Sequence, residues 1–208
     1  MFSVRRACKW GLLCAALVGV LAVAKPARAE VEYFTTRSVL SAFFPKSERV
    51  TYRTVVMDGA TRARIAQRLG YAPALDRYTV FVALTQGKVD GYAVVDEEKG
   101  LHQPITFATK LSPQGMVERV EIMVYREPRG DEVRDPRFRK QFEGRTARDE
   151  MRISRDIDAV SGATISSASL AVGVRRATVL VDEVVSAAAK SAPAPGTVAS
   201  APSPATYR

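Results

Sequence analysis

Tyr78-Thr-Val-Phe-Val-Ala-Leu-Thr-Gln-Gly-Lys-Val-Asp-Gly-Tyr-Ala-Val-Val95 alternates in a way that a helix cannot use. Val80, Val82 and Leu84 share one face at a period of two, and Gln86-Gly87 offers a tight turn into the returning run from Val89 to Val95. The same grammar repeats downstream. Ile105, Phe107, Thr109 and Leu111 share a face, Ser112-Pro-Gln-Gly115 supplies turn chemistry, and Val120, Ile122 and Val124 are expected on one face of the return strand. Adding Tyr52 to Met57 gives an antiparallel sheet of about four or five strands, since such short connections force antiparallel neighbours.

Helical patterns flank this run. Ser38 to Phe44 reads as a short helix stopped by Pro45, and Ala60 to Leu69 as a second, with Asp58 or Thr61 near its start and Gly70 after its end. Pro136 to Phe142 is a further short candidate. Ser166 to Val185 carries Leu170, Val174, Ala177, Val181 and Val184 at spacings of three and four, the signature of a long helix laid against the sheet. Gly173 lowers its intrinsic propensity, so packing must hold it. The fold class expected is α+β, one domain of sheet packed with helices.

That domain is bounded by two segments of different composition. Met1 to Ala29 has the layout of a secretory signal: basic Arg5, Arg6 and Lys9, an apolar run from Trp10 to Ala24, and Ala27-Arg28-Ala29 at the cleavage position. The apolar run is shorter than the roughly 18 to 20 residues of a bilayer span, so cleavage before Glu30 is the main expectation and a retained membrane anchor the alternative. Residues 186–208 draw 16 of their 23 positions from Ala, Ser and Pro, which is too little apolar bulk to offset ordering, and are expected to form a flexible tail. Composition thus bounds a folded domain over residues 30–185, expected to be exported to a bacterial periplasm.

Composition also excludes several functions. Cys8 and Cys14 both lie in the leader, so the mature chain has neither a disulfide nor a thiolate metal site. The leader holds Arg5, Arg6, Lys9, Lys25 and Arg28 and no acid, which lowers the formal charge from +9 to +4 and removes most of the case for a nucleic-acid partner. A basic neighbourhood remains at Arg126, Arg129, Arg134, Arg137, Arg139 and Lys140, but Glu127, Asp131, Glu132 and Asp135 interrupt it.

The chemistry is concentrated in Asp158-Ala-Val-Ser-Gly-Ala-Thr164, followed by Ile165-Ser-Ser167. Ser161, Thr164, Ser166 and Ser167 crowd before the long helix. One reading is a helix start, where a hydroxyl accepts from a first-turn N–H. A serine nucleophile lacks a base, because His102, the one histidine, belongs to a segment before a predicted strand. No His, Asp or Glu pair shows metal-ligand spacing there. The third use is to hold a phosphate: first-turn N–H groups and the helix dipole favour an anion, Gly162 lets backbone approach, and Ser161, Ser166 and Ser167 add donors.

Asp158-x-x-Ser161-Gly162-Ala163-Thr164 resembles the flavinylation motif of the FMN-binding domain family, found in the C subunit of the sodium-pumping NADH:quinone oxidoreductase and the G subunit of Rnf-type complexes. Gly91-Tyr-Ala93, Gln114-Gly115, Glu127-Pro-Arg-Gly130 and Phe138-x-x-Gln141-Phe142-x-Gly144 follow the family's order over about residues 88–179. The resemblance implies FMN on Thr164 through a phosphoester, installed by a flavin transferase that uses FAD and Mg²⁺, with Asp158 read by that enzyme. It also implies a loop beside the flavin at Glu127 and Gly130. Pro128 and Arg129 depart from the pattern, standing where the family has Thr and Pro, so the resemblance assigns their side chains nothing. The expected function is an exported electron carrier between membrane or periplasmic redox partners. A flavin-dependent reductase of a small molecule and a non-redox binding module are the alternatives.

Overall fold

A computed structural model describes residues 30–127 and 129–191. The expected leader and the tail beyond Ser191 lie outside the described residues. Six strands form one fully antiparallel sheet: β1 (Val31–Glu32), β2 (Arg49–Val56), β3 (Arg77–Thr85), β4 (Lys88–Lys99), β5 (Pro104–Leu111) and β6 (Val117–Tyr125). Their spatial order is β1-β6-β5-β4-β3-β2, so β2 to β6 form a simple meander and β1 closes the far edge. The strand beyond the expected four or five is β1, whose two residues are too few to show a period.

Helices α1 (Thr36–Phe43), α2 (Gly59–Leu69), α3 (Pro136–Lys140) and α4 (Thr164–Ser191) complete the domain. Asp58 caps α2 by accepting from Thr61 N–H at 2.7 Å, and Gly70 ends it in the left-handed conformation at φ 81°. The long helix α4 crosses the sheet over β4 and β5 and starts two positions earlier than the apolar period shows. It also continues past Ser186 to Ser191, because Ala187, Ala188 and Ala189 have the highest helix propensity of any residue type.

The two faces of the sheet are buried unequally. The larger core holds Val80, Val82, Ile105, Phe107, Leu111, Val120 and Ile122 from the strands against Leu170, Val174, Ala177 and Val181 of α4. On the opposite face Val39, Phe43 and Phe44 of the α1 segment cover Phe81, Ala83, Ala93 and Ala108. The alternation places Val124 with Val120 and Ile122, yet it lies in this smaller core with Met123. A β-bulge is the cause: Thr106 pairs with Val124 but Phe107 with Ile122, leaving Met123 as the extra residue. The Met123 carbonyl accepts instead from Tyr33 N–H at 2.7 Å and Phe34 N–H at 3.2 Å, and Tyr125 is turned onto the α4 face.

Two polar ties set α4 on the sheet. The buried Arg176 guanidinium bonds Asp96 at 2.6 Å and also pairs with Glu98, while Ser169 Oγ donates to the Lys99 carbonyl at 2.6 Å. Burial raises the Asp96 carboxyl above its ordinary range. Burial also opposes the charge on Arg176, but Asp96 and Glu98 outweigh it and hold the guanidinium protonated. Next to Arg176 on the helix, Arg175 donates to the Leu69 and Arg68 carbonyls at 2.9 and 2.6 Å and so closes the end of α2.

Gly173 lies on the α4 surface that faces Phe107, and a Cβ built there would stand 2.1 Å from the ring's Cζ. Propensity alone favours Ala over Gly by about 1 kcal/mol in a helix. Overpacking a full core costs about 1 to 3 kcal/mol, and here it decides the sign. Gly173→Ala is therefore expected to lower the urea midpoint; a raised midpoint would show that Phe107 moves aside freely.

Candidate functional site

The start of α4 is built from a turn. Ala163 N–H bonds the Val160 carbonyl at 3.0 Å, with Gly162 in the left-handed conformation at φ 79°. The Ala163 carbonyl then accepts from Ser167 N–H at 2.8 Å, which makes Ala163 the cap and Thr164 the first helical residue. Side chains of Thr35, Asp58 and Asp135 cap α1, α2 and α3, but Ala163 has no polar side-chain atom to offer its helix.

The four hydroxyls have different occupations. Ser167 Oγ is buried and accepts from Val160 N–H at 3.1 Å, so it ties down the turn from inside. Ser166 Oγ, also buried, lies 3.2 Å from the Tyr125 hydroxyl. That phenol donates its hydrogen to the Arg129 carbonyl at 2.7 Å, so Ser166 is the donor in the second contact. Burial pushes the Tyr125 pKa up, which keeps the phenol protonated for this role. Ser161 and Thr164 are exposed.

Two further segments face Thr164. The loop after β6 is pinned by Tyr125 at Arg129, and Glu127 Oε1 accepts from His102 N–H at 2.5 Å and Gln103 N–H at 2.9 Å, which joins this loop to the β4–β5 turn. Between them lies a cleft of about 690 Å³. Glu127, Gly130, Gly162, Ala163, Thr164 and Ser166 line it, joined by Leu101, His102, Arg129 and Ile165. The volume falls within the roughly 300 to 1,000 Å³ of small-molecule and cofactor sites.

Of the residues expected at the site, Ser161 and Ser167 are near in sequence but are not on the cleft wall, and Ser167 faces the interior. Asp158 lies in a neighbouring groove, where the Gln141 side chain bonds its backbone twice, accepting from N–H at 2.8 Å and donating to the carbonyl at 3.2 Å. Sequence reasoning missed Leu101, His102, Arg129, Ile165 and Tyr125 as site residues. Tyr125 had no readable signal, because the bulge that turns it inward leaves no mark in the alternation. His102 was visible only as an isolated histidine in a loop.

The fold and the cleft define a small α+β domain in which a helix start and a pinned loop face each other across a cleft of cofactor size. A family model described as the FMN-binding domain matches residues 76–179, and the chain belongs to that family. Among solved structures, NqrC of Shewanella oneidensis is similar at 18% identity, covering 70% of this chain and 84% of that one, with a TM-score of 0.43. The corresponding component of the Na(+)-translocating NADH-quinone reductase from Parabacteroides distasonis is similar at 18% identity, covering 70% and 85%, with a TM-score of 0.40. No curated protein matches the chain by sequence.

The residues present fit FMN. Among the described residues no side chain caps the first-turn N–H groups of α4, which leaves them open to a phosphate, and exposed Leu101 and Ile165 give the cleft apolar surface for an aromatic ring system. Two glycines separate conformational from steric demand. A Cβ on Gly162 meets open space, so Gly162→Ala incurs only the left-handed strain of about 1 to 2 kcal/mol. A Cβ on Gly130, at φ 89°, would stand 2.7 Å from the Tyr125 hydroxyl and 3.2 Å from Ser166 Oγ, adding a clash to the strain. Thermal denaturation is expected to rank Gly130→Ala as the less stable variant, and only Gly130→Ala to break the Tyr125 contact.

Proposed function

We propose that this chain is an exported flavoprotein that carries FMN as a phosphoester on Thr164 and passes electrons between redox partners. The observation that carries the linkage is the sorting of hydroxyls at the start of α4. Thr164 is both exposed and on the cleft wall, whereas Ser166 and Ser167 are buried and engaged, and Ser161 is off the wall. Family membership supports FMN as the cofactor.

In this reading the Thr164 hydroxyl oxygen attacks the FMN-side phosphorus of FAD on a Mg²⁺-dependent flavin transferase. A P–O bond to Thr164 forms, the pyrophosphate bond breaks, AMP leaves, and the hydroxyl proton passes to a base on that enzyme. Asp158 is exposed in the groove beside Gln141, which supports its being read by the transferase outside the cleft itself. The start of α4 holds the phosphate, the Glu127–Gly130 loop bounds the cleft, and Leu101 and Ile165 shield part of the ring from water. When bound, the flavin supplies the capacity to accept and release electrons, and the protein supplies position and local charge.

The leader supports export to the periplasm, and its cleavage or retention decides whether the carrier is free or membrane-held. Donor and acceptor are then a membrane or periplasmic redox protein on either side. Protein exported from a host with the transferase is expected to gain the mass of FMN less one water and to fluoresce on a denaturing gel. Thr164→Ala should fold with the melting temperature of wild type made without the transferase, and lose both signals. A wild-type chain of bare polypeptide mass would overturn the linkage, and steady turnover of a small acceptor without a protein partner would turn the reading toward a reductase.

A further inference from the structure

The basic neighbourhood after β6 is divided among different tasks. Arg126 pairs with Glu30 at 3.0 Å and donates to Thr106 Oγ1 at 3.0 Å, Arg134 stacks over the Tyr33 ring at 3.5 Å, and Arg139 donates to the Val120 carbonyl at 2.6 Å and pairs with Glu121. These three are structural. Arg137 belongs to the groove around Asp158, and Lys140 to a surface hollow beside Arg139. Arg129 alone of this group lines the Thr164 cleft.

Its backbone is fixed there by the Tyr125 hydroxyl, and the same hydroxyl meets Ser166 in the first turn of α4. Gly130, the next residue, is so close to that turn that a built Cβ would lie 3.3 Å from the Ala163 Cβ. Arg129 thus lines the cleft together with Thr164, where the proposed phosphate would sit. The cleft also contains the Glu127 carboxylate, whose like charge opposes an incoming phosphate. Among the described residues, no carboxylate pairs with the Arg129 guanidinium.

Resting on the proposed FMN linkage, we infer that Arg129 is a phosphate-binding residue of this chain, its guanidinium forking onto the phosphoester of the flavin at Thr164 and offsetting Glu127. The phosphoester carries one negative charge with two free oxygens, which matches a planar two-donor fork better than a point charge. The loop in this protein thereby holds the cofactor through a side chain at a position where the usual family loop has proline.

The test uses the full mature chain made without a transferase, with FMN and riboflavin as separate probes in fluorescence quenching at low salt. Arg129→Gln is expected to weaken FMN about tenfold, the scale of one hydrogen-bonded charge pair at a partly exposed site, and to leave riboflavin unchanged. Arg129→Lys should restore part of the loss. Equal weakening of both probes, no change in either, or a wild type that does not prefer FMN would overturn the inference. A second readout uses chain matured with the transferase. The ³¹P resonance of folded Arg129→Gln should move from its wild-type position toward that of urea-unfolded protein, and an unmoved resonance in a natively folded variant overturns the inference. A wild-type chain that carries no phosphorus at all defeats the linkage on Thr164, a result distinct from either failure of Arg129.

Discussion

The site depends on one surplus residue in β6. If the strand alternated without interruption, Val124 would face α4 and Tyr125 would face α1. Met123 breaks the ladder, so Met123 and Val124 both go to the smaller core and Tyr125 emerges on the α4 side. An unpaired carbonyl at a bulge would normally be costly if buried, but Tyr33 and Phe34 supply its donors. The chain that leaves β1 therefore latches the bulge in place. From there the phenol ties together two neighbouring segments, the loop at Arg129 and the first turn of α4 at Ser166.

Position along α4 is the second requirement, since a helix sliding over an apolar sheet has several packings of similar energy. Arg176 resolves this through Asp96 and Glu98, because a charge in that core has no second place to go. Taking one partner from such a buried pair typically costs about 3 to 5 kcal/mol, whereas the intact pair adds little net stability. Its value lies in registry. About two turns nearer the start of the helix, Ser169 repeats the tie at Lys99, just before the turn whose Leu101 and His102 line the cleft. One strand end thus sets both the helix and the wall opposite Thr164.

The parts legible in the sequence were those governed by periodicity. The hairpins from Tyr78 to Tyr125 and the long apolar face of α4 could be read because a half-buried strand and a sheet-packed helix impose periods of two and about 3.6. Thr164 stood out because hydroxyls and glycine concentrate around it, and the resemblance to a known motif separated it from its neighbours. Periodicity says nothing about a single inserted residue, so the fates of Val124 and Tyr125 were hidden. It also cannot tell a buried serine from an exposed one at a helix start. Ser166 and Ser167 looked like free donors, but each is committed to holding the site's own framework together. Arg129 was lost among five other basic residues, and only their partners in three dimensions set it apart.

The openness of the cleft and the covalent bond proposed at Thr164 belong together. Leu101 is 55% exposed and Ile165 48%, so a flavin resting on them would bury only part of its surface. Such a site alone would bind weakly, and an exported carrier that relied on it would lose its cofactor by dilution. A deeper pocket would solve that by enclosing the ring, but enclosure would also separate the ring from a redox partner. Tethering removes the conflict: an attached ligand meets its own site at an effective concentration in the millimolar range, however weak the contacts. The protein can then leave the ring accessible and use its fixed charges, Glu127 and Arg129, to set the environment of the phosphate and flavin. In that proposed arrangement the helix start without a side-chain cap is no defect of α4, because a phosphate on its first residue would complete it.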